Sequence, residues 1–122
     1  MIVHGDRSFG VLRLRFEGTD ALDALVAKQA KAEALALIDG ASDVVIDLGG
    51  IEFIDSTGIS VLVSVLKAAR RNGREAHFAT ISPGVRSVLE VIKLDRIFDL
   101  HDDPGTAAAA LRARAGSPPR RG

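Results

Sequence analysis

Ser56 is the side chain in this sequence whose position most favours chemistry. It follows Asp55 and precedes Thr57 and Gly58, between an apolar segment and a segment with helical spacing, which predicts the entrance of a helix. A serine hydroxyl at such a place can cap the helix by accepting a backbone N–H. The positive end of the helix dipole also favours negative charge there, so the same hydroxyl can carry a phosphate. The residues alone leave both roles open.

A strand and a helix must hold Ser56 in place. Residues 44–48 are apolar except for Asp47, which predicts a buried central strand, and Gly49-Gly50 predicts a turn after it. The segment that begins at Ser56 predicts a helix ending at Asn72-Gly73. The predicted core stripe of this helix consists of Ile59, Leu62, Val63, Leu66 and Ala69.

Two valines beside that stripe are candidates for contact with a partner. Val61 and Val65 are four residues apart, so they are neighbours on the helix surface, and they begin about one turn beyond Ser56. Single apolar residues are common on protein surfaces and need no function. A pair that adjoins Ser56 nevertheless predicts an exposed docking face.

The remaining chain predicts one α/β domain over residues 1–115 and a disordered tail at 116–122. Residues 11–17 alternate as a half-buried strand does, and residues 2–3 predict a short strand before them, with a turn at Gly5-Asp6. The other predicted elements are a helix from Thr19 or Asp20 to about Asp39, a strand at 75–80, a helix capped by Ser82, an edge strand at 97–100 and a last helix at 104–115. The first of these helices is predicted to begin its core face with Leu22, Leu25 and Val26, and the helix capped by Ser82 has a predicted core stripe of Val85, Val88, Leu89 and Ile92.

Composition excludes several classes of partner. Sixteen basic and sixteen acidic side chains cancel, so bulk charge does not favour binding to nucleic acid or insertion at an anionic membrane. Trp and Tyr are absent, so the stacking surfaces of single-strand binding proteins are missing. The absence of cysteine excludes thiol chemistry and, with no predicted signal peptide or membrane span, predicts a soluble cytoplasmic protein.

Metal, cofactor and enzyme functions have little support in the sequence. The three histidines are far apart, and Asp47 with Asp55 is too small a set to define a magnesium site, so we predict no metal and no cofactor. Ser56 lacks the Gly-x-Ser-x-Gly elbow of many serine hydrolases, although His77 or His101 could fold near it as a base. The prediction is a protein without enzymatic activity.

The segment around Ser56 resembles the core of the STAS domain, the fold of bacterial anti-sigma factor antagonists. In that family a strand and a turn precede Asp-Ser-Ser/Thr-Gly-Leu/Ile, which residues 55–59 match. The likeness extends from about Phe9 to Leu100 and includes Ser82-Pro83 at a helix entrance. It implies an α/β domain with a mixed four- to five-stranded sheet and helices mainly on one side. This chain has Lys93 where the family commonly has glycine, so we expect a differently shaped helix end there.

The resemblance implies an anti-sigma factor antagonist whose phosphoacceptor is Ser56. Unphosphorylated protein would bind an anti-sigma factor of the serine-kinase type, phosphorylation would stop binding, and a serine phosphatase would restore it. The expected partner-binding residues are Asp55, Thr57, Gly58, Val61 and Val65. Domains of this fold also build stress-sensing assemblies or serve as accessory subunits of lipid-transport ATPases, which is the alternative function.

Overall fold

The computed structural model describes residues 1–115, so the predicted disordered tail at 116–122 lies outside the described residues. No helix within the described part is long and apolar enough to cross a membrane. In chain order its elements are β1 (Ile2–Ser8), β2 (Val11–Glu17), β3 (Ala21–Leu22), α1 (Ala27–Leu37), β4 (Asp43–Asp47), β5 (Phe53–Ile54), α2 (Ser56–Arg71), β6 (Ala76–Ala79), α3 (Pro83–Val91), a 3-10 turn (Leu94–Arg96), β7 (Leu100–His101) and α4 (Pro104–Ala115).

Five strands form one mixed sheet in the order β1-β2-β4-β6-β7. β1 and β2 are antiparallel, whereas the other neighbouring strands are parallel. β3 and β5 pair separately, with Leu22 opposite Ile54. Because β5 is followed almost at once by α2, this small second sheet determines where α2 begins. The predicted α/β fold with a mixed sheet is confirmed.

The sheet separates two apolar layers. The main layer packs against α1, α2 and α3, and its sheet residues include Leu12, Leu14, Val44, Ile46 and Phe78. The smaller layer lies on the other face, and its residues are Val11, Val45, Ala79, Ala107 and Leu111, the last two from α4. Three helices therefore cover one face and α4 covers the other, in agreement with the prediction that the helices lie mainly on one side.

The first hairpin is longer than the sequence predicts. Gly5-Asp6 has the composition of a turn but lies inside β1, where pairing with β2 keeps it extended. The turn is formed instead by Phe9 and Gly10, whose φ values are +52° and +77°. Positive φ at both central residues gives the turn that matches the twist of the two strands, although a bulky residue rarely adopts it.

The helix after β2 is also shorter than predicted. The sequence predicts a helix from Thr19 or Asp20 to about Asp39, but α1 occupies only residues 27–37 of this range. Leu22 provides the reason, because it is fully buried and is paired with β5 in the second sheet. Burial of this one side chain holds residues 21–22 in the extended conformation.

The segment after α3 differs from the prediction in three details. β7 is only two residues long, because the 3-10 turn precedes it and places Phe98 in the main apolar layer. Ile92, predicted as a core residue, is exposed. The expectation of a differently shaped helix end at Lys93 is wrong, since Lys93 adopts the left-handed conformation with a φ of +63°.

Candidate functional site

Asp55 forms the N-terminal cap of α2. Its Oδ1 accepts hydrogen bonds from the backbone N–H of Thr57 at 2.9 Å and of Gly58 at 3.1 Å. The Thr57 hydroxyl donates to the same oxygen. These bonds lower the pKa of Asp55 because they stabilise its ionised form, and the bond from the Thr57 hydroxyl has the largest effect. The cap is therefore an anion at neutral pH.

Ser56 is the first residue of α2 and is exposed. The sequence allows two roles for it, helix cap or carrier of a phosphate. The capping role is wrong, because Asp55 is the cap and its carboxylate already accepts the N–H groups of the first turn. The Ser56 hydroxyl is thus at the surface without being needed to begin the helix.

Gly58 is required by packing beneath the site. It is buried, and a Cβ built on it would lie 2.1 Å from the carbonyl oxygen of Leu22 and 2.7 Å from Cγ1 of Ile54. A residue without a side chain is needed for α2 to approach the second sheet this closely. Its burial does not fit the partner contact that the sequence predicts for it, and its role is to set the position of the helix.

The predicted exposed face at Val61 and Val65 is wrong. Val61 is 1% exposed and Val65 is 0% exposed, and both belong to the main apolar layer. Ile59 and Val63, which the sequence places in the core stripe, are only partly buried. The buried stripe is rotated from the predicted one because α1 packs along α2 on the side of the helix that Val61 occupies.

Two other apolar side chains are exposed next to the helix entrance. Leu25 is 92% exposed, and the N–H of the preceding Ala24 donates to the Asp55 carboxylate, which places this loop beside the cap. Phe53 is 55% exposed and lies two residues before Asp55. The sequence assigns Leu25 to a helix core. Asp23 could have indicated a turn at this point of the sequence, because its side chain accepts the N–H of Leu25 at 3.0 Å, as aspartate often does in turns.

A groove of about 390 Å³ runs between α1 and α2 beside Ser56. Its lining residues are Ala27, Lys28, Lys31, Ser56, Thr57, Ser60 and Val61. The two lysines on α1 are exposed, as are the three hydroxyl residues on α2. Two cations and an exposed serine therefore share one concave surface.

The segment that leads to Ser56 is fixed by close backbone contacts. The N–H groups of Glu52 and Phe53 both donate to the carbonyl of Asp20, at 2.7 and 3.2 Å. At the start of α3, a Cβ on Gly84 would lie 2.4 Å from the carbonyl oxygen of Glu52. The backbone that precedes Ser56 is therefore held by hydrogen bonds to Asp20 and by close packing against the start of α3.

The histidines lie away from this surface. Nδ1 of His77 is 3.0 Å from Nε2 of His101, and Nε2 of His77 is 3.3 Å from the carboxylate of Asp99. His77 is opposite Val45 in the sheet, so it shares the face covered by α4, whereas α2 packs on the other face. Neither histidine is placed to act as a base for Ser56. Within residues 1–115, no group of three or more His, Cys, Asp or Glu is arranged to hold a metal ion.

Comparison with known proteins gives one consistent family. A family model described as the STAS domain matches residues 6–107. Over 108 residues the chain is 32% identical to a candidate anti-sigma factor antagonist, BtrV, of Bordetella bronchiseptica, which covers 88% of this chain and 91% of that relative. It is 29% identical over 68 residues to the anti-sigma-B factor antagonist of Staphylococcus aureus, covering 56% of this chain and 61% of the relative.

A solved structure shows the same likeness in three dimensions. An anti-sigma factor antagonist (STAS) domain protein from Planctomyces limnophilus superposes with a TM-score of 0.82 at 25% identity. The superposition covers 91% of this chain and 98% of that structure.

Proposed function

The chain belongs to the STAS domain family, and we propose that it is an anti-sigma factor antagonist controlled by phosphorylation of Ser56. In its unphosphorylated form it binds an anti-sigma factor of the serine-kinase type, so that the sigma factor is released. Phosphorylation stops this binding, and a serine phosphatase restores it. The observation that supports the proposal most is the exposed Ser56 hydroxyl, which stands beside a cap formed by a different residue.

The local geometry favours Ser56 over Thr57 as the phosphoacceptor. The Thr57 hydroxyl donates to the Asp55 carboxylate, so transfer to Thr57 must first break a bond to a charged group. Ser56 does not form the cap and is exposed at the start of α2. A kinase can approach it without unfolding the first turn of α2.

The charge of a phosphate at this position is sufficient to prevent binding by electrostatic repulsion. It adds a charge of about −1.5 to −2 at neutral pH, directly after the anionic Asp55. An acidic group of the partner about 4 Å away at an effective dielectric constant near 20 would be repelled by roughly 4 kcal/mol per unit charge before salt screening. A hundredfold loss of affinity requires only about 2.7 kcal/mol.

The proposed docking surface surrounds Ser56 and uses Leu25, Phe53 and Thr57 in place of the buried valines. Leu25, on the loop before α1, and Phe53, in β5, supply exposed apolar area next to the helix entrance. Burial of one such side chain in a complex contributes about 1.5–3 kcal/mol. Leu25 follows Ala24, whose N–H donates to the Asp55 carboxylate, and Phe53 lies three residues before Ser56, so a partner that contacts these side chains lies close to Ser56.

Phosphate transfer to variants of this chain tests the proposal. The kinase is recovered by affinity capture on the wild-type chain and is incubated with ATP and each variant. Ser56→Ala should abolish phosphate incorporation, whereas Thr57→Ala should retain it, and phosphopeptide mapping should place the label on Ser56. Label on Thr57, or capture of a transporter ATPase in place of a kinase, would contradict the proposal.

A further inference from the structure

The groove between α1 and α2 contains two cations that face the candidate phosphoacceptor. Lys28 and Lys31 are three residues apart on α1, so their side chains leave the same face of the helix. Both line the groove together with Ser56 and Ser60 of α2. Each lysine is exposed at the groove, so its flexible side chain is able to reach across.

These lysines differ from several other cations of the chain. Arg7, Arg13, Arg15 and Arg70 form ion pairs with carboxylates. Within residues 1–115, by contrast, neither Lys28 nor Lys31 takes part in an ion pair. Their charges are therefore available to a new anion in the groove.

A phosphate on Ser56 would be stabilised by such cations, because two of the backbone donors at the start of α2 are already occupied by Asp55. The N–H groups of Thr57 and Gly58 both donate to Asp55. The ionised Asp55 carboxylate also repels a second anion beside it. The lysines of the neighbouring helix, which line the same groove, can supply the counter-charge.

We propose that Lys28 and Lys31 hold the phosphate carried by Ser56 and so link α1 to α2 across the groove. The proposal rests on phosphorylation of Ser56 as the proposed modification. The bound phosphate would occupy part of the groove and engage both lysines, so phosphorylation changes the shape of the docking surface as well as its charge.

The second pKa of the phosphate measures this interaction directly. Phosphoserine is placed at position 56 during translation, so neither the kinase nor the anti-sigma partner is needed, and the ³¹P resonance is followed from pH 4 to 9. Cations near the phosphate favour its dianion and lower this pKa from its usual value of about 6. Replacing both lysines, Lys28→Gln with Lys31→Gln, should raise the pKa by roughly half a pH unit or more.

Lys67→Gln is the matched control, because Lys67 is an exposed lysine on α2 whose Cα is about 16 Å along the helix from Ser56. The second pKa of the phosphate in this control should equal that in the parent phosphoprotein, which retains all its lysines. Equal pKa values in the parent, the double variant and the control would overturn the proposal. A raised pKa in the double variant alone would support the lysine site even if no kinase modifies Ser56. The experiment therefore tests the lysine site independently of the proposed phosphorylation by a kinase.

Discussion

Replacement of Gly58 by alanine separates a packing role from a role in partner contact. The added Cβ would lie 2.1 Å from the carbonyl oxygen of Leu22, whereas real Cβ atoms essentially never come closer than 3.0 Å to such an atom. The start of α2 must therefore move by about 0.9 Å relative to β3. Since the obstacle is backbone, no rotation of a side chain relieves it, and we expect a loss of about 3 kcal/mol, the upper part of the range for overpacked sites.

Urea denaturation followed by circular dichroism tests this expectation, with Gly40→Ala as the matched control. The nearest atoms to a Cβ at Gly40 belong to Asn72 at 4.0 Å, so the same chemical change should leave stability unchanged or raise it by up to about 1 kcal/mol. A loss of 3 kcal/mol in Gly58→Ala should lower the urea midpoint by roughly 1–3 M. If Gly58→Ala is as stable as the parent but binds its partner poorly, the packing argument is refuted and Gly58 is a contact residue.

Three further outcomes follow from the structure. Leu25→Asp should leave the thermal midpoint within a few degrees of the parent and should weaken partner binding about tenfold or more, because Leu25 is exposed. Val65→Asp should instead unfold the domain, because it places a charge in the buried layer. A folded Val65→Asp protein would contradict the assigned burial. Thr80 is β-branched and has a φ of +61°, so Thr80→Gly should raise the free energy of unfolding by about 1 kcal/mol in urea titrations, and a decrease would show that its side chain contributes more than the strain costs. The lowered pKa of Asp55 contributes stability that is fully present above the unfolded pKa of about 3.9 and is lost as the pH falls through the folded pKa. The parent should therefore be more stable than Asp55→Asn at pH 5, and this difference in the free energy of unfolding should shrink towards pH 2. A difference that stays constant would refute the linkage.

The sequence was sufficient to predict the elements with strong local signals. The buried central strand, the break at Gly49-Gly50 and the helix that begins at Ser56 are all present. Ser82 with Pro83 marks the start of α3, and Ser82 accepts the N–H of Val85 at 3.3 Å as a cap. These features depend on residues close together in the chain, so a local pattern contains most of the information.

The errors arose where distant contacts decide between similar local patterns. Positions 59–66 of α2 are apolar on several sides, so the pattern alone could not show that Val61 and Val65 face the interior while Ile59 and Val63 are partly exposed. That choice depends on the position of α1, which packs along α2. Likewise, a two-residue strand such as β3 is too short to show a period, and only its pairing with β5 reveals it.

The choice of helix cap shows the same limit on a smaller scale. Asp55 and Ser56 are both good capping residues, and their order in the sequence does not show which one caps. The structure assigns the cap to Asp55, whose backbone is extended, and makes Ser56 the first helical residue. This difference of one residue leaves the Ser56 hydroxyl at the surface.

The affinity of the captured anti-sigma kinase for two forms of this chain is the most direct test of the proposed switch. Isothermal titration calorimetry would compare the unmodified chain with the chain carrying phosphoserine at position 56, with Ser56→Ala as the control for loss of the hydroxyl alone. The alanine variant should bind like the unmodified chain, and the phosphorylated chain should bind at least about a hundredfold more weakly. Equal affinity of the phosphorylated and unmodified chains would contradict the proposed switch.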